Sequence, residues 1–367
     1  MRESVFTEID TPALLLDLTQ VERNIARYQR LAASAKMSLR PHAKGHKCPE
    51  VGLLQTKQGA VGLCCAKLGE AEAMAAGGLG DLLVTTPVVG AIKVRRLLDL
   101  AHKAKVTVVV DDGANVAELA HAAKAAGVIL DLLVDVDVGQ GRTGVPPGSK
   151  AAELAALIAR SQGLRFLGLQ GYQGKLQSVA ALDERTGLVK DAMIKLGESA
   201  RLVREAGIEC RIMSGGGTGS FPIDLDLRVL NELQPGSYIT MDTTYAKVQL
   251  GDNEDRHPLG HPLTILASVV SRPAPDRVVV DVGWKAASSD SGTPLVAGDQ
   301  RLAYEFAGDE HGIVRSTAGP LELIPGDRVQ LIPSHCDTTV NLYDRFIVHR
   351  NGRLEGGWAI EARGRSQ

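Results

Sequence analysis

The chain lacks a dominant charge. Its 41 Lys+Arg stand against 43 Asp+Glu over 367 residues, a formal net charge of -2, so nothing draws it generally toward nucleic acid or anionic lipid, and a small-molecule partner is expected. No apolar run reaches the roughly 18 residues of a membrane helix before a charge or glycine cuts it. The opening MRESVFTEIDTPALLLDL has no basic segment leading into a long apolar one and does not read as a secretory signal. The five cysteines, at 48, 64, 65, 210 and 336, are odd in number and show neither a disulfide framework nor paired metal spacing, as expected in a reduced compartment. Cys64 and Cys65 read as small core residues. Low-complexity linkers are absent too, and so is the G-x-x-x-x-G-K-[ST] pattern of triphosphate loops. A soluble, cytoplasmic chain acting on a small molecule is the expectation.

What is present, from residue 13 to about 245, is an alternation of short apolar runs with longer Ala/Leu-rich segments of helical period. Strands are expected at 38–42, 60–65, 81–86, 106–112, 130–138, 165–172, 210–215 and 237–242, and most of the intervening helical stretches end at glycine. Strands apolar on both faces and separated by helices indicate a parallel sheet, and eight units favour a closed (β/α)8 barrel over an open doubly wound sheet, although periodicity does not show closure. After about residue 255 the texture becomes β-rich, broken by Pro and Gly, with no long helical pattern. The expected class is thus α/β, with a barrel over 13–255 and a β domain over 256–367. Residues 1–12, leading into strand-like VFTEIDTPALLLDL, are free to pair with either domain, the β domain included.

Three stretches carry chemistry. RPHAKGHKCP, residues 40–49, follows the first expected barrel strand and so falls at the C-terminal face, where barrel enzymes keep their sites. Its two imidazoles and thiol could hold zinc, but ammonium groups among the ligands would repel the cation. Lys44 is the better reading, since a lysine held among apolar walls and other cations has a depressed pKa and attacks carbonyls to form a Schiff base. Solvated loop charge is the competing account. SGGGTGS, residues 214–220, resembles a phosphate cradle after a late barrel strand: the glycines let backbone N–H groups approach an anion, and Ser214, Thr218 and Ser220 add hydroxyls. A Schiff-base lysine after one strand and a phosphate cradle after another are two requirements of pyridoxal 5'-phosphate (PLP). Arg142 and Tyr172, also at expected strand ends, could bond or pack its ring. In PSHCDTTVN, residues 333–341, a strand would put His335 and Asp337 on one face and Cys336 on the other, an open site for a divalent ion or a core hydrogen-bonded pair.

Taken in order, RPHAKGHK, DVGQGRTGV, GYQG, SGGGTGS, ELQPGSYITMD, DVGWKAASSDSG, GDEHG and PSHCD resemble, end to end, the D-threonine aldolase and D-serine dehydratase family. The resemblance implies an alanine racemase fold, with an N-terminal PLP barrel and a C-terminal β domain, in a homodimer. It places the PLP lysine on Lys44, with Lys47 a supporting cation. Arg142 falls on the phenolic oxygen, Tyr172 beside the ring, Gly216, Gly217 and Thr218 on the phosphate loop with Tyr238 as a neighbour, and the metal pair on His335 and Asp337. Dehydratase members resemble His-x-Cys, a zinc pair; an Asp here favours Mn2+ or Mg2+, with Zn2+ or Co2+ admissible, and leans the reading toward the aldolase.

The expected function is PLP- and metal-dependent cleavage of D-threonine and related D-3-hydroxy amino acids to glycine and an aldehyde. Dehydration of D-serine or D-threo-3-hydroxyaspartate is the alternative, followed by amino-acid racemization, a non-catalytic PLP carrier and a PLP-free metal hydrolase. The general base is unassigned: GYQGKLQ lacks a histidine after the tyrosine, and His46 and His311 are only candidates. Asp281 and Lys285 are expected to border the site from the β domain, and Arg40, His42 and His46 to support Lys44.

Overall fold

The computed structural model describes residues 6–250 and 259–367. The first strand, β1 (Ala13–Asp17), ends in a carboxylate that accepts from the N–H groups of Thr19 and Gln20 and so caps helix Leu18–Ser34. That helix buries Val21, Ile25, Tyr28 and Ala32, the stripe a 3.6-residue repeat lays against a core.

Eight parallel strands follow: β2 (Ser38–Leu39), β3 (Leu63–Cys65), β4 (Asp81–Val84), β5 (Lys105–Val110), β6 (Leu130–Asp135), β7 (Leu164–Gly171), β8 (Ile212–Gly215) and β9 (Glu232–Leu233). Their spatial order is β2-β9-β8-β7-β6-β5-β4-β3. The ring closes between β2 and β3 through a parallel bridge of His42 with Cys64, where Cys64 N–H donates to Pro41 O at 2.8 Å and Val61 N–H to Leu39 O at 2.8 Å. Strands such as β6 are buried at every residue, because side chains inside the barrel and helices outside cover both faces.

The eighth strand is not where its composition suggested. Residues 237–242 do not form it; Ser237–Ile239 is a short 3-10 turn beyond Pro235 and Gly236, and the strand is Glu232–Leu233. SYITMD interleaves polar and apolar residues like a strand but is buried throughout, with Tyr238 fully covered and stacked on Tyr28 at 4.5 Å between ring centroids. Burial without regular geometry leaves the same composition as a strand.

The second sheet has nine strands among the described residues and is antiparallel except where β1 meets one of them. Its members after the barrel are β10 (Leu263–Ala274), β11 (Arg277–Val280), β12 (Leu295–Val296), β13 (Leu302–Phe306), β14 (Gly312–Ser316), β15 (Arg328–Ile332), β16 (Arg345–Arg350) and β17 (Arg353–Ala359). The strand before the first barrel helix, β1, sits inside this sheet between β10 and β16. The expected division at 255/256 falls outside the described residues.

Candidate active site

The mouth of the barrel is organised by the turn Ala43–Gly45 just past β2. His42 caps it: its Nδ1 accepts from the Lys44 N–H at 3.3 Å, which leaves the proton on Nε2, 3.2 Å from the Thr85 hydroxyl. Burial, reinforced by the neighbouring Lys44 ammonium, pushes His42 down to about 3, so its imidazole is neutral. Lys44 Nζ donates to Asp337 Oδ2. Its amine was expected to be depressed. Burial does pull that way, but the Asp337 carboxylate outweighs it and Lys44 is held above the ordinary lysine value; Asp337 correspondingly lies below the ordinary aspartate value in spite of burial.

The approach of Asp337 depends on Gly45, where an added Cβ would stand 2.9 Å from Asp337 Oδ1. Asp337 itself is not in a strand. After β15 the chain turns into helix Cys336–Val340, with His335 at its N-cap, and this helix packs on the lysine turn. The expected separation of Cys336 from its neighbours still holds, for Cys336 is fully buried with its thiol donating to Met241 O at 3.1 Å. His335 Nδ1 lies 2.6 Å from Asp290 Oδ2, an arrangement that orients the ring and leaves Nε2 as its metal-type donor. Burial raises Asp290, yet hydrogen bonds from Ser288, His335 and Thr338 outweigh it and hold the carboxyl at about 2. Among the described residues no three His, Cys, Asp or Glu side chains converge closely enough to cage a metal.

A cavity of about 490 Å³ opens beside the lysine, lined by Lys44, Arg142, Tyr172, Gly217 and Thr218, which the sequence had singled out. Arg142 lies over the Tyr172 ring, 5.8 Å from its centroid. Its loop is pinned by Asp137, which accepts from the N–H groups of Gly139 and Gly141 at 3.0 and 2.9 Å, and by Gln140, whose Oε1 accepts from Gly174 N–H at 2.8 Å beside Tyr172. The glycine cradle is tightly built: Gly217 N–H donates to Ser220 Oγ at 3.0 Å, and Ser220 Oγ donates to Asp224 Oδ2 at 2.7 Å. Gly216 adopts a φ of +69°, and a Cβ there would come within 2.4 Å of Asp224 Oδ2; at Gly217 it would come within 2.6 Å of Gln177 Oε1.

Several expected residues are elsewhere. Ser214 is buried inside the barrel, donating to Glu232 Oε1 at 2.7 Å, so its hydroxyl is not part of the cradle. Tyr238 reaches the cradle by its N–H, which donates to Thr218 Oγ1 at 3.1 Å, while its own hydroxyl accepts from Gln55 Nε2 at 2.9 Å in the core. Lys47 does not support Lys44, being paired with Glu70 at 2.5 Å, and Arg40 is spent on Asp81 and Glu232. His46 is buried away from the cavity, its Nδ1 accepting from Cys48 N–H at 3.1 Å. Asp281 accepts from Thr11 and Ser268 within the β sheet; Lys285 pairs with Glu310 at 2.6 Å on the surface, and His311 is exposed. Residues not foreseen include Thr85, Ser237 and Tyr245, which line the cavity, and Asp290 behind His335. Asp290 had a readable signal as an acid within DVGWKAASSDSG, as did Ser237 within ELQPGSYITMD and Thr85 at the end of the expected strand 81–86, whereas Tyr245 had none.

A parallel barrel with a lysine and a glycine cradle at its mouth, joined to a second, largely antiparallel domain, defines an alanine racemase-type protein. Residues 16–244 match the family model described as alanine racemase, N-terminal domain, and residues 262–349 match the putative serine dehydratase domain. A D-threonine aldolase of an Arthrobacter species is 42% identical over 98% of this chain and 94% of its own length, and a 3-hydroxy-D-aspartate aldolase of Paracoccus denitrificans is 39% identical over 98% and 93%. The crystal structure of D-threonine aldolase from Filomicrobium marinum superposes with a TM-score of 0.94 at 40% identity, covering 98% of this chain and 97% of that one. The chain belongs to the D-threonine aldolase family and is a carbon–carbon lyase of the aldehyde-lyase type.

Proposed function

We propose that the protein is a PLP- and divalent-metal-dependent aldolase that cleaves D-threonine and related D-3-hydroxy amino acids to glycine and an aldehyde. The observation that carries this reading is the contact of Lys44 with Asp337, which sets the amine of the barrel against the acidic half of the His335–Asp337 pair. The residues suit both groups. Lys44 faces a cavity lined by Gly217 and Thr218 of the glycine turn, whose close packing on Asp224 and Gln177 leaves no room for side chains at Gly216 and Gly217, and Arg142 and Tyr172 line the same cavity. His335, steered by Asp290, and Asp337, kept anionic, offer one nitrogen and one hard oxygen donor, a set that suits Mn2+ or Mg2+ better than a thiolate-seeking ion.

Bound PLP supplies an electron sink for the carbon–carbon bond that breaks, and a divalent ion supplies Lewis acidity at the 3-hydroxyl. The chain's own residues do the rest. Gly216, Gly217 and Thr218 would cradle the phosphate, Arg142 would bond the ring oxygen, and Tyr172 would pack the ring. His42 fixes the Lys44 turn as a neutral acceptor, adding no charge to a mouth already rich in cations. Asp337 accepts from Lys44 at Oδ2, and its second oxygen, Oδ1, would serve the metal.

We also assign the barrel to 13–255 and the β domain to 256–367, except that β1 (Ala13–Asp17) joins the sheet of the β domain, and expect a cytoplasmic homodimer. Incubation with D-threonine, PLP and Mn2+ tests the function. Glycine with acetaldehyde is the expected result; 2-oxobutanoate with ammonia would instead make it a dehydratase, and neither set of products would sink the lyase reading.

A further inference from the structure

The lining of the cavity is electrically one-sided. Lys44, Lys67 and Arg142 line it, and no lining residue carries a carboxylate. Buried cations next to it are already compensated, Arg40 by Asp81 and Glu232 and Lys47 by Glu70. Lys44 is taken up by Asp337. Arg142 lies over Tyr172 and, in the function proposed above, serves the cofactor ring. Lys67 has no such employment: among the described residues no hydrogen bond or ion pair engages its ammonium.

Its place is informative as well. Lys67 follows β3, and Thr85 and Thr86, which also line the cavity, follow β4. In the ring of eight strands β4 stands opposite β8, which carries the glycine cradle. The cavity therefore has a neutral anion cradle on one wall and an uncommitted cation with two hydroxyl neighbours on the other. A cation there also sits at the N-cap of helix Leu68–Ala76, an end that favours negative charge, and its side chain makes no capping bond.

We propose that Lys67 is a substrate-binding residue that holds a carboxylate of the amino-acid substrate. The inference rests on the aldolase function proposed above, because that function brings to the cavity a ligand with at least one carboxylate. D-Threonine offers only the α-carboxylate, while 3-hydroxy-D-aspartate offers a second one at the far end. A lysine ammonium, strongly hydrated and flexible, suits such a rim contact with either.

The test uses holoenzyme loaded with PLP and Mn2+, as wild type, Lys67→Met and Lys67→Arg, with both substrates. Because the side chain caps nothing and is exposed, Lys67→Met should keep the melting temperature and the visible absorbance of bound cofactor. Losing a charge-assisted hydrogen bond should raise KM by about 10-fold or more, with kcat little changed and Lys67→Arg recovering most of the loss. An increase for both substrates assigns Lys67 to the α-carboxylate; an increase for 3-hydroxy-D-aspartate alone assigns it to the distal one. If KM for both stays within about twofold, the proposal is overturned and Lys67 is a solvated rim charge. Substrate binding is read in parallel from the cofactor's visible spectrum, so a chain that binds without cleaving would sink the aldolase function and still decide Lys67.

Discussion

Lys44 and Asp337 are separated by 293 positions in the sequence and share a hydrogen-bonded ion pair, one from the turn after β2 and the other from the helix after β15. The pair is the point where the barrel's amine and the β domain's acid meet. If Lys44 is the residue that holds the cofactor, Lys44→Ala should abolish the visible absorbance of bound PLP and reduce aldehyde release by roughly a thousandfold or more. Lys47, already paired with Glu70, offers no amine at the cavity, whereas Lys67 lines it, so absorbance that survived in Lys44→Ala would move the cofactor's attachment to Lys67 and overturn the role of Lys44.

Gly45 tests the closeness of that approach without touching either partner. An added Cβ would meet a carboxylate oxygen, the far end of a side chain that can swing, and no backbone atom crowds it. Gly45→Ala should therefore leave the melting temperature nearly unchanged while displacing Asp337, lowering Mn2+ affinity and aldolase turnover by about 10-fold or more. A variant with full activity would mean that the contact is incidental.

Asp290 bears on the metal through His335 alone. Asp290→Asn keeps the shape but gives His335 Nδ1 a weaker and differently polarised partner, so metal affinity should fall about 10- to 100-fold with cofactor absorbance intact. Activity measured against Mn2+ concentration separates the two: a curve shifted to higher metal with the same plateau supports the orienting role, and an unshifted curve removes it.

Chelation divides the site along the same line. Treating the holoenzyme with EDTA should stop aldehyde release from D-threonine while leaving the visible cofactor spectrum in place, since the residues proposed for PLP all belong to the barrel and the metal pair to the β domain. Unchanged turnover after chelation would leave His335 and Asp337 without a metal role.

How far the site could be read in advance follows from what each signal encodes. Lys44, Arg142, Tyr172, Gly217 and Thr218 were legible because they stand at strand C-termini, and parallel barrel order brings all such ends to one mouth. Ser214 misled because alternation along a strand is invisible in a stretch apolar on both sides; its hydroxyl turns inward to Glu232. His335 and Asp337 were paired by an assumed strand, whereas a short helix displays them. The depressed amine expected of Lys44 failed for a similar reason. Its partner lies in another domain, and no local pattern announces a contact across so much chain. Residues such as Ser237 and Tyr245 reach the cavity from irregular turns whose direction is set only by tertiary packing.

Asp224 offers a pH dependence that can be predicted in sign. It is fully enclosed behind the cradle, its Oδ2 accepting from Ser220 and its Oδ1 without a partner among the described residues. Burial outweighs the Ser220 bond and raises it from 3.8 to about 7. The folded chain then holds a proton that the unfolded chain releases, so stability is lost as pH rises from the unfolded value toward the folded one and is flat above it. Asp224→Asn removes the titration. Relative to wild type it should gain nothing at pH 4 and progressively more toward pH 7, with an upper bound of about 4 kcal/mol from the span between the two values. Urea unfolding of the cofactor-free protein at several pH values measures the difference directly. A constant offset between the two proteins across that range would show that Asp224 is ionised in the fold, and a carboxylate would then stand behind the phosphate cradle.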